Sequence, residues 1–388
     1  MYKIQLLNKI SHLGLNLLPK DKYENSEKMD NPDGILVRSA DMHTMELPAN
    51  LKAVARAGAG VNNIPIQKCS EKGIVVFNTP GANANGVKEL VILGLLMSSR
   101  KILPGIEWTK SLLGKGAEVP ALVEKGKGDF VGPEIKGKKL GLIGLGAIGV
   151  LVANAAQSLG MEVTGFDPYI SVEAAWGLSS NVKRATSLDA VYADSDYISL
   201  HLPYNDNTKK MINASVFAKM KKGVRILNFA RAELVNDTDM AAALESGSVS
   251  CYVTDFPNEE TLKMKNVVPV PHLGASTPES EDNCAVMAAE EIRDFLENGN
   301  IVNSVNFPNC DLGKCAAKKR ITLLHQNVPN MVGQITAILA NEKINIADML
   351  NKSKGNLAYT MIDLDNEVSE SALKSLNAIE GMIKTRVL

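Results

Sequence analysis

The spacing of apolar residues predicts alternating strands and helices along the first part of the chain. Short apolar runs at 34–38, 51–55 and 73–78 are typical of buried strands, and the segments between them are long enough for helices. This alternation favours a parallel sheet. Residues 87–102 follow a helical pattern that is apolar nearly all round, which indicates a helix buried between domains or subunits. The Gly- and Lys-rich stretch 104–132 is expected to be looser.

A second block of alternation begins at residue 139. Strands are predicted at 139–143, 161–166, 197–202, 224–229, 250–254 and 266–270, with helices such as 150–159 and 237–246 between them. The pattern predicts a doubly wound α/β domain. A long helix is expected at 280–298, and an irregular segment, 299–318, follows it.

Residues 319–388 show a different order of elements. Strands are predicted at 321–325, 344–350, 357–364 and 382–388. Met331, Ile335, Ile338 and Leu339 share one face of a helix, and a second helix begins at Ser369. The resulting βαββαβ order predicts a ferredoxin-like module.

Composition and charge exclude several classes of protein. A chain of 388 residues suggests two or three domains. The 42 Lys and Arg residues nearly balance the 43 Asp and Glu residues, so no positive field favours nucleic acid or an anionic membrane. The longest apolar run, 90–97, is much shorter than the ~20 residues that cross a bilayer. With no signal-peptide pattern at the N-terminus, we expect a cytoplasmic protein.

The five cysteines predict neither disulfides nor a metal site. Only Cys310 and Cys315 are close together, and no histidine or second cysteine pair lies near them at zinc-binding spacing. We therefore expect free thiols and no metal.

The strongest motif follows the strand 139–143. Gly144, Gly146 and Gly149 form a GxGxxG pattern that leads into a helix, and Asp167 ends the next strand, 23 residues after Gly144. These glycines permit a tight turn, close approach of a pyrophosphate and close helix packing, while the aspartate accepts hydrogen bonds from a ribose. Because no arginine follows Asp167 to receive a 2′-phosphate, we predict NAD rather than NADP. The alternative is a glycine-rich turn that binds nothing.

Candidate reacting groups follow the later strands, since ligands of doubly wound sheets bind at the carboxyl ends of strands. These groups are His201, Arg231, Asp255, Glu260 and His272. Hydride chemistry on a hydroxy acid needs a proton shuttle, for which His is suited, and a carboxylate anchor, for which Arg is suited. A neighbouring carboxylate would orient the histidine. The residues alone leave both His201 and His272 open as the shuttle.

Three motifs carry a resemblance to a known family. The sequence NFAR at 228–231, Asp255 followed five residues later by Glu260, and PHLGAST at 271–277 resemble signatures of the NAD-dependent D-2-hydroxyacid dehydrogenases. The C-terminal module resembles an ACT-type regulatory domain. The resemblance implies two doubly wound Rossmann/flavodoxin-like α/β domains and the C-terminal βαββαβ module. The implied boundaries are 1–87 with 282–306 for a discontinuous substrate domain, 88–281 for the NAD-binding domain, 307–318 for a linker and 319–388 for the regulatory domain.

The resemblance also assigns roles to residues. Arg231 would bind the substrate carboxylate, His272 would be the general acid/base and Glu260 would orient it. The implied cofactor-binding residues are Gly144, Gly146, Ala147, Ile148, Gly149, Asp167, Leu202, Phe229, Ala230, Arg231, Asp255, His272, Gly274 and Ala275. The implied substrate-binding residues are Arg38, Ser39, Arg56, Gly58, Ala59 and Gly60. His325, Asn327 and Asn345 match positions that contact L-serine in the family.

The implied activity is NAD-dependent oxidation of D-3-phosphoglycerate to 3-phosphohydroxypyruvate, the first step of phosphorylated L-serine biosynthesis, by a homodimer or homotetramer. Two alternatives stay open. The first is a reductase of another 2-oxo acid, namely hydroxypyruvate, glyoxylate or 2-oxoglutarate. The second is a non-catalytic NAD-sensing corepressor, against which the Arg231, Glu260 and His272 set argues.

Overall fold

The chain divides into two compact units in the computed structural model, which describes residues 1–388. One unit comprises Met1–Asn83 with Pro278–Leu388, and the other comprises Ala84–Thr277. The C-terminal residues therefore group with the first part of the chain instead of forming a third unit. None of the helices combines the length and the apolar character that spanning a membrane requires.

The first unit begins with a parallel sheet of five strands. Its elements are β1 (Tyr2–Leu6), α1 (His12–Leu15), β2 (Tyr23–Ser26), β3 (Gly34–Val37), β4 (Ala53–Arg56), α2 (Ile66–Glu71) and β5 (Val75–Asn78). The strand order is β2-β1-β3-β4-β5, the flavodoxin-like order. The apolar pattern does not predict β1, because only one of its five residues is buried.

The second unit contains a parallel sheet of seven strands. Its elements are α3 (Ala84–Ser99), α4 (Ile102–Ser111), α5 (Val119–Gly126), β6 (Lys139–Ile143), α6 (Ala147–Ser158), β7 (Glu162–Phe166), α7 (Val172–Gly177), β8 (Lys183–Arg184), α8 (Leu188–Asp194), β9 (Tyr197–Leu200), α9 (Ala214–Phe217), β10 (Val224–Asn228), α10 (Asp237–Glu245), β11 (Val249–Thr254), α11 (Glu259–Lys263) and β12 (Val267–Pro269). The order β12-β11-β10-β9-β6-β7-β8 reverses between β6 and β9. A ligand crevice is expected at the carboxyl ends of the strands at this reversal.

The expectation of a loose stretch at 104–132 was wrong. Helices α4 and α5 and two short 3₁₀ turns occupy most of it, and α3 ends at Ser99. Neither α4 nor α5 buries a residue completely, so the apolar stripe that marks most helices is weak here. The rings of Trp108 and Phe130 pack at 5.2 Å between centroids, and Gly126 leaves room for the indole.

The chain returns to the first unit through a long helix and ends in the module predicted from its sequence. The elements are α12 (Pro278–Asn298), β13 (Lys319–Gln326), α13 (Met331–Asn341), β14 (Ile346–Lys354), β15 (Leu357–Leu364), α14 (Glu370–Asn377) and β16 (Met382–Val387). The four strands form an antiparallel sheet in the order β14-β15-β13-β16. The prediction of two doubly wound domains and a βαββαβ module is confirmed.

The two faces of the C-terminal sheet have different partners. One face packs against α13 and α14 around Ile321, Ile335 and Leu376. Residues of the other face, among them Tyr359 and Met361, share a hydrophobic core with α12 and the first sheet. Residues 307–318 were predicted as a linker, but Phe307 and Cys310 in this segment are buried in that shared core.

The C-terminal module also caps α12. The last carbonyl groups of a helix have no partner within it and carry partial negative charge. Here Arg386 donates to the carbonyl oxygens of Phe295 and Leu296, and Arg320 donates to that of Asn298. The Tyr359 hydroxyl donates to the carbonyl oxygen of Gly299 at 2.6 Å. Two cationic side chains of the module thus stabilise the helix end.

Candidate active site

The glycine motif forms a tight turn between β6 and α6. Gly144 has a φ of +95°, and a Cβ there would lie 2.4 Å from the carbonyl oxygen of His201. A Cβ on Gly149 would lie 2.2 Å from the carbonyl oxygen of Gly144, whereas a Cβ on Gly146 would meet nothing within 4 Å. The turn is therefore packed from behind and open above the N-terminus of α6, where free amides attract a pyrophosphate.

Residues around the turn fit an adenosine and a pyrophosphate. Ala147 and Ile148 are the first two residues of α6, so their amides point out of the helix end. Asp167 follows β7, and its carboxylate accepts hydrogen bonds from the amides of Leu145 and Tyr169 at 2.9 and 2.8 Å. The aspartate is thereby held beside the turn. Leu202, half-buried after β9, lies against Gly144 on the other side.

The loop after β10 presents Arg231. The buried amide side chain of Asn228 accepts from the amides of Ala230 and Arg231 and donates to the carbonyl oxygen of Arg231. These contacts fold the loop so that Phe229 and Ala230 are buried while Arg231 is exposed. The Arg231 side chain donates to the Ala230 carbonyl oxygen at 2.6 Å and forms no ion pair. Its remaining donors are available to a substrate carboxylate.

His272 and Asp255 meet at the ends of neighbouring strands. The Oδ2 atom of Asp255 lies 4.0 Å from Nε2 of His272, and the carboxylate is almost fully buried while the imidazole is largely exposed. Burial raises the pKa of Asp255, and the positive charges of His272 and Arg231 oppose that rise. Oδ1 of Asp255 is buried without a hydrogen-bond partner. The edge of the Phe256 ring packs on the imidazole, with the centroids 4.9 Å apart.

The expected pairing of Glu260 with His272 is not present in the structure. Glu260 is exposed and its carboxylate contacts Lys263 at 3.1 Å. The physical reason is local: Asn258 caps α11 by accepting from the Glu260 amide, which fixes Glu260 in the first helical turn, three residues before a lysine on the same face. Asp255 is the carboxylate that faces His272.

His201 is unsuited to be the proton shuttle. Its imidazole lies 2.9 Å from the Ser199 hydroxyl, and burial lowers its pKa to about 4. A neutral ring with so low a pKa is a poor base near neutrality. The structure thereby favours His272 between the two histidines that the sequence left open.

Gly274 and Ala275 lie in the loop that carries His272. Gly274 is buried, and a Cβ there would lie 3.0 Å from the Val87 side chain, whereas Ala275 is exposed. A residue with a side chain at 274 would push the loop away from α3. The glycine therefore sets the position of the loop that presents His272.

The first unit contains a separate cluster of polar groups at the carboxyl ends of β3, β4 and β5. The Arg56 side chain lies over the backbone at Gly58, where a Cβ would come within 2.4 Å of the guanidinium. Burial lowers the pKa of Arg56. Arg38 forms an ion pair of 2.5 Å with Glu281 of α12, and its carbonyl oxygen accepts from Arg56. The two arginines thus lie together beside the loop Gly58–Gly60, in which Ala59 is exposed and the Gly58 amide donates to the carbonyl oxygen of Arg56 at 2.8 Å.

Asparagines that sequence reasoning missed hold this cluster. Oδ1 of Asn8 accepts from the amides of Arg38, Ser39 and Ala40, all within 3.0 Å. The Asn78 side chain donates to the carbonyl oxygen of Ala59 at 2.6 Å. The same rule that identified Arg231, polar residues just past strand ends, could have found both, because Asn8 follows β1 and Asn78 ends β5.

The three residues matched to serine contacts are not brought together within one chain. His325 is buried, bonded to the Thr360 hydroxyl at 2.8 Å, and burial lowers its pKa. Asn345 lies at the other end of the sheet: His325 pairs with Ala358 of β15, while the residue after Asn345 pairs with Leu364. Six residues of strand separate them, or about 20 Å at ~3.4 Å per residue. Asn327 donates to the carbonyl oxygen of Gly355.

Candidate metal ligands do not cluster in this structure, in which no group of three or more His, Cys, Asp or Glu side chains could hold an ion. A dinucleotide fits better. The open N-terminus of α6, the held carboxylate of Asp167 and the unpartnered buried oxygen of Asp255 lie along the same edge of one sheet. The unpartnered oxygen is an acceptor suited to a carboxamide N–H.

Comparisons with known proteins identify the family of the chain. Residues 95–274 match the model of the D-isomer specific 2-hydroxyacid dehydrogenase, NAD binding domain. The chain is 30% identical to D-3-phosphoglycerate dehydrogenase of Haemophilus influenzae over 89% of this chain and 83% of that protein. It is 34% identical to the enzyme of that name from Methanocaldococcus jannaschii over 81% of this chain, but spans only 59% of that protein.

Solved structures show the same architecture. The NAD⁺-bound 3-phosphoglycerate dehydrogenase of Entamoeba histolytica is 26% identical, with a TM-score of 0.57 over 79% of this chain and 98% of that one. The D-mandelate dehydrogenase of Rhodotorula graminis has a TM-score of 0.64 at 24% identity over 78% of this chain and 97% of that one, a likeness of fold alone.

Proposed function

The chain belongs to the D-isomer specific 2-hydroxyacid dehydrogenase family, and on that premise we propose that it oxidises D-3-phosphoglycerate to 3-phosphohydroxypyruvate with NAD. The observation that carries the proposal is the set at the carboxyl edge of one sheet: an exposed Arg231, His272 beside a buried carboxylate, and an open glycine turn. The reaction would be the first step of phosphorylated L-serine biosynthesis, in the cytoplasm.

The cofactor would lie across this edge. Gly146, Ala147 and Ile148 would receive the pyrophosphate, Asp167 the ribose hydroxyls and Oδ1 of Asp255 the carboxamide. When bound, NAD supplies the hydride acceptor, which is the chemistry that side chains cannot provide. The carboxylate of Asp167 would repel a 2′-phosphate, so NAD is favoured over NADP.

The protein supplies orientation and proton transfer. Arg231 would hold the carboxylate and the reacting oxygen of the hydroxy acid through its free N–H groups. As the hydride leaves C2, the hydroxyl proton passes to Nε2 of His272, so that C2 becomes a carbonyl carbon and the imidazole becomes cationic. The carboxylate of Asp255 faces that nitrogen and would stabilise the positive charge that develops there.

We assign further contacts to the substrate carboxylate and the contacts to its phosphate group to residues of the first unit. The loop Gly58–Gly60 would receive the substrate carboxylate through the amides of Ala59 and Gly60, and Arg38 and Arg56 would bind the phosphate. Ser39, held by Asn8, would add a backbone amide and a hydroxyl. The two arginines form a positively charged cluster that an unphosphorylated acid would not need.

One observation favours a second candidate, reduction of an unphosphorylated 2-oxo acid such as hydroxypyruvate. Arg38 is paired with Glu281 at 2.5 Å, so its charge is partly neutralised before any phosphate arrives. A phosphate that binds Arg38 would therefore compete with the Glu281 carboxylate for this guanidinium. If the Glu281 carboxylate stays on Arg38 when substrate binds, the difference in kcat/KM between phosphorylated and unphosphorylated acids would be small.

A spectrophotometric assay of NADH tests the proposal. Phosphohydroxypyruvate, hydroxypyruvate and 2-oxoglutarate would be compared as substrates for reduction, and D-3-phosphoglycerate for oxidation. We expect kcat/KM at least ~100-fold higher for the phosphorylated acid, from two guanidinium contacts of ~1.4 kcal/mol or more each. Equal kcat/KM values for the three acids would overturn the assignment of a phosphorylated substrate. No NADH consumption with any acid would favour a NAD-sensing corepressor.

We propose that inhibition by L-serine depends on the assembly of two or more copies of the chain. Because His325 and Asn345 lie at opposite ends of the C-terminal sheet, L-serine could contact both only where two copies of the module meet. We therefore link serine inhibition to a homodimer or homotetramer. Measuring NADH consumption with increasing L-serine, together with the mass in solution, would test both parts at once.

A further inference from the structure

A second positively charged site lies where the C-terminal module meets the first sheet, within the first unit. The cavity has a volume of about 470 Å³. Its polar lining comes from Asn78 at the end of β5, from the segment after α12 and from the end of β14, and includes Asn303, Asn309, Lys352, Ser353 and Lys354. We name it the Lys352 cavity.

The pleat of β14 turns its two lysines toward this junction. Side chains two residues apart on a strand lie on the same face, so Leu350, Lys352 and Lys354 share one. Leu350 packs against the core that the module shares with the first sheet. The lysines that follow it therefore project from the face that meets the first sheet, at the point where the hydrophobic contact ends.

The charges in the cavity are all of one sign. No carboxylate lines it, and neither Lys352 nor Lys354 forms an ion pair in the structure. Lys354 is held in place because its ammonium donates to the carbonyl oxygens of Ser304 and Val305 at 3.1 and 3.0 Å, which leaves one N–H free. Lys352 has no hydrogen-bond partner, so its whole charge is available to a ligand.

A larger cavity of the same unit differs from the Lys352 cavity in the charged groups that line it. It measures about 710 Å³ and runs along α12, and its lining mixes four carboxylates, Glu290, Glu291, Asp294 and Glu297, with three cations, Lys22, Arg293 and Lys314. The four carboxylates outnumber these cations and would compete with an anion for them. Of the two cavities, only the smaller presents ammonium, amide and hydroxyl donors with no carboxylate in its lining. Phosphate oxygens accept hydrogen bonds from such donors.

The Lys352 cavity is also connected to the substrate loop. Asn78 lines the cavity and donates to the carbonyl oxygen of Ala59, within the Gly58–Gly60 loop. Asn78 also pairs with Arg56 across β4 and β5. A ligand that contacts the Asn78 amide would therefore lie next to the loop and arginine assigned above to the substrate.

We propose that the Lys352 cavity binds a phosphate-class dianion, with Lys352 and the free N–H of Lys354 as its cationic donors. The dianion has two possible sources, the phosphate group of the substrate or inorganic phosphate from solution. The proposal goes beyond the dehydrogenase function, because phosphate binding can be measured whether or not the chain turns over any acid.

Competitive lysine acetylation of the full chain tests the proposal without a variant. The protein is treated with a trace of acetic anhydride in phosphate or in sodium chloride at the same ionic strength, and acetylation of each lysine is read by peptide mass spectrometry. We expect saturating phosphate to slow Lys352 at least 5-fold and to leave Lys314, an exposed and unpaired lysine of the same unit, unchanged. Equal rates for Lys352 in both salts would overturn the proposal.

A variant then identifies the source of the dianion. Lys352→Gln is compared with the matched control Lys314→Gln, using KM for phosphohydroxypyruvate and for hydroxypyruvate. A rise of ~10-fold for the phosphorylated acid alone, the loss of about 1.4 kcal/mol from one charged contact, identifies the substrate phosphate as the ligand. Unchanged KM values together with phosphate protection of Lys352 identify inorganic phosphate. Either pattern supports the site, whereas equal KM changes in both variants would contradict it.

Discussion

The carboxylate that serves His272 can be identified by substitution. Asp255→Asn keeps the shape of the side chain and removes its charge. Glu260→Gln makes the matching change in α11, the helix that follows Asp255. Only Asp255 lies within 4.0 Å of the imidazole, whereas Glu260 is paired with Lys263. The structure therefore predicts a large effect on turnover for the first variant and a small one for the second.

The magnitude follows from the geometry. Two unit charges 4.0 Å apart interact by about 1 kcal/mol in water and about 4 kcal/mol at an effective dielectric constant of ~20. Since Asp255 is buried but the His272 side chain is 64% exposed, an intermediate value of about 2 kcal/mol is reasonable. That energy stabilises the imidazolium formed as the proton leaves the substrate, and its loss corresponds to a fall in kcat of about 30-fold.

The assay separates catalysis from cofactor binding. Turnover of D-3-phosphoglycerate gives kcat, and calorimetric titration with NAD detects any loss of the carboxamide contact assigned to Asp255. We expect Glu260→Gln to change kcat less than ~3-fold, as for an exposed ion pair. If Glu260→Gln lowers kcat as much as Asp255→Asn does, the pairing seen here is not the one that operates in catalysis.

Three further predictions concern the cofactor turn, the helix cap and a buried carboxyl group. Gly144→Ala should abolish NAD binding in calorimetry, because a Cβ would lie 2.4 Å from the His201 carbonyl oxygen; binding within ~3-fold of the parent would contradict the tight turn. Arg386→Met should lower the free energy of unfolding in urea by about 2–3 kcal/mol, since two charged hydrogen bonds to the end of α12 are lost; an unchanged midpoint would count against the cap. Burial raises the pKa of Glu291 from 4.5 to about 8. The unfolded chain loses this proton near pH 4.5, whereas the folded chain keeps it up to about pH 8. The free energy of unfolding therefore falls as the pH rises from 4.5 to 8, by up to about 5 kcal/mol. Glu291→Gln should flatten that part of the curve of melting temperature against pH, and an unaltered slope would refute the assignment.

The C-terminal module both packs against α12 and caps the end of that helix. Its sheet shares a core with α12, and Arg320 and Arg386 bind the last carbonyl groups of that helix. The same helix carries Glu281, which pairs with Arg38. The module is thus an integral part of the unit that holds the proposed substrate arginines.

The sequence by itself determined the elements whose signal is local. The turn at Gly144–Gly149 was readable because it needs glycines at fixed positions after a buried strand, and the βαββαβ order was readable from apolar periodicity. Local signals were absent in β1, where one residue of five is buried, and in α4, where none is. Periodicity cannot reveal an element that buries almost nothing against its own unit.

Only the tertiary structure decided which distant groups meet. The family resemblance implied Glu260 as the partner of His272, but the Asn258 cap holds Glu260 beside Lys263, and Asp255 at the end of β11 lies next to the imidazole instead. The segment 307–318 has the composition of a linker, yet Phe307 and Cys310 are buried in a shared core. His272 meets Asp255 because two neighbouring strands end side by side, and Phe307 and Cys310 are buried against residues far away in the sequence. A one-dimensional pattern contains neither contact.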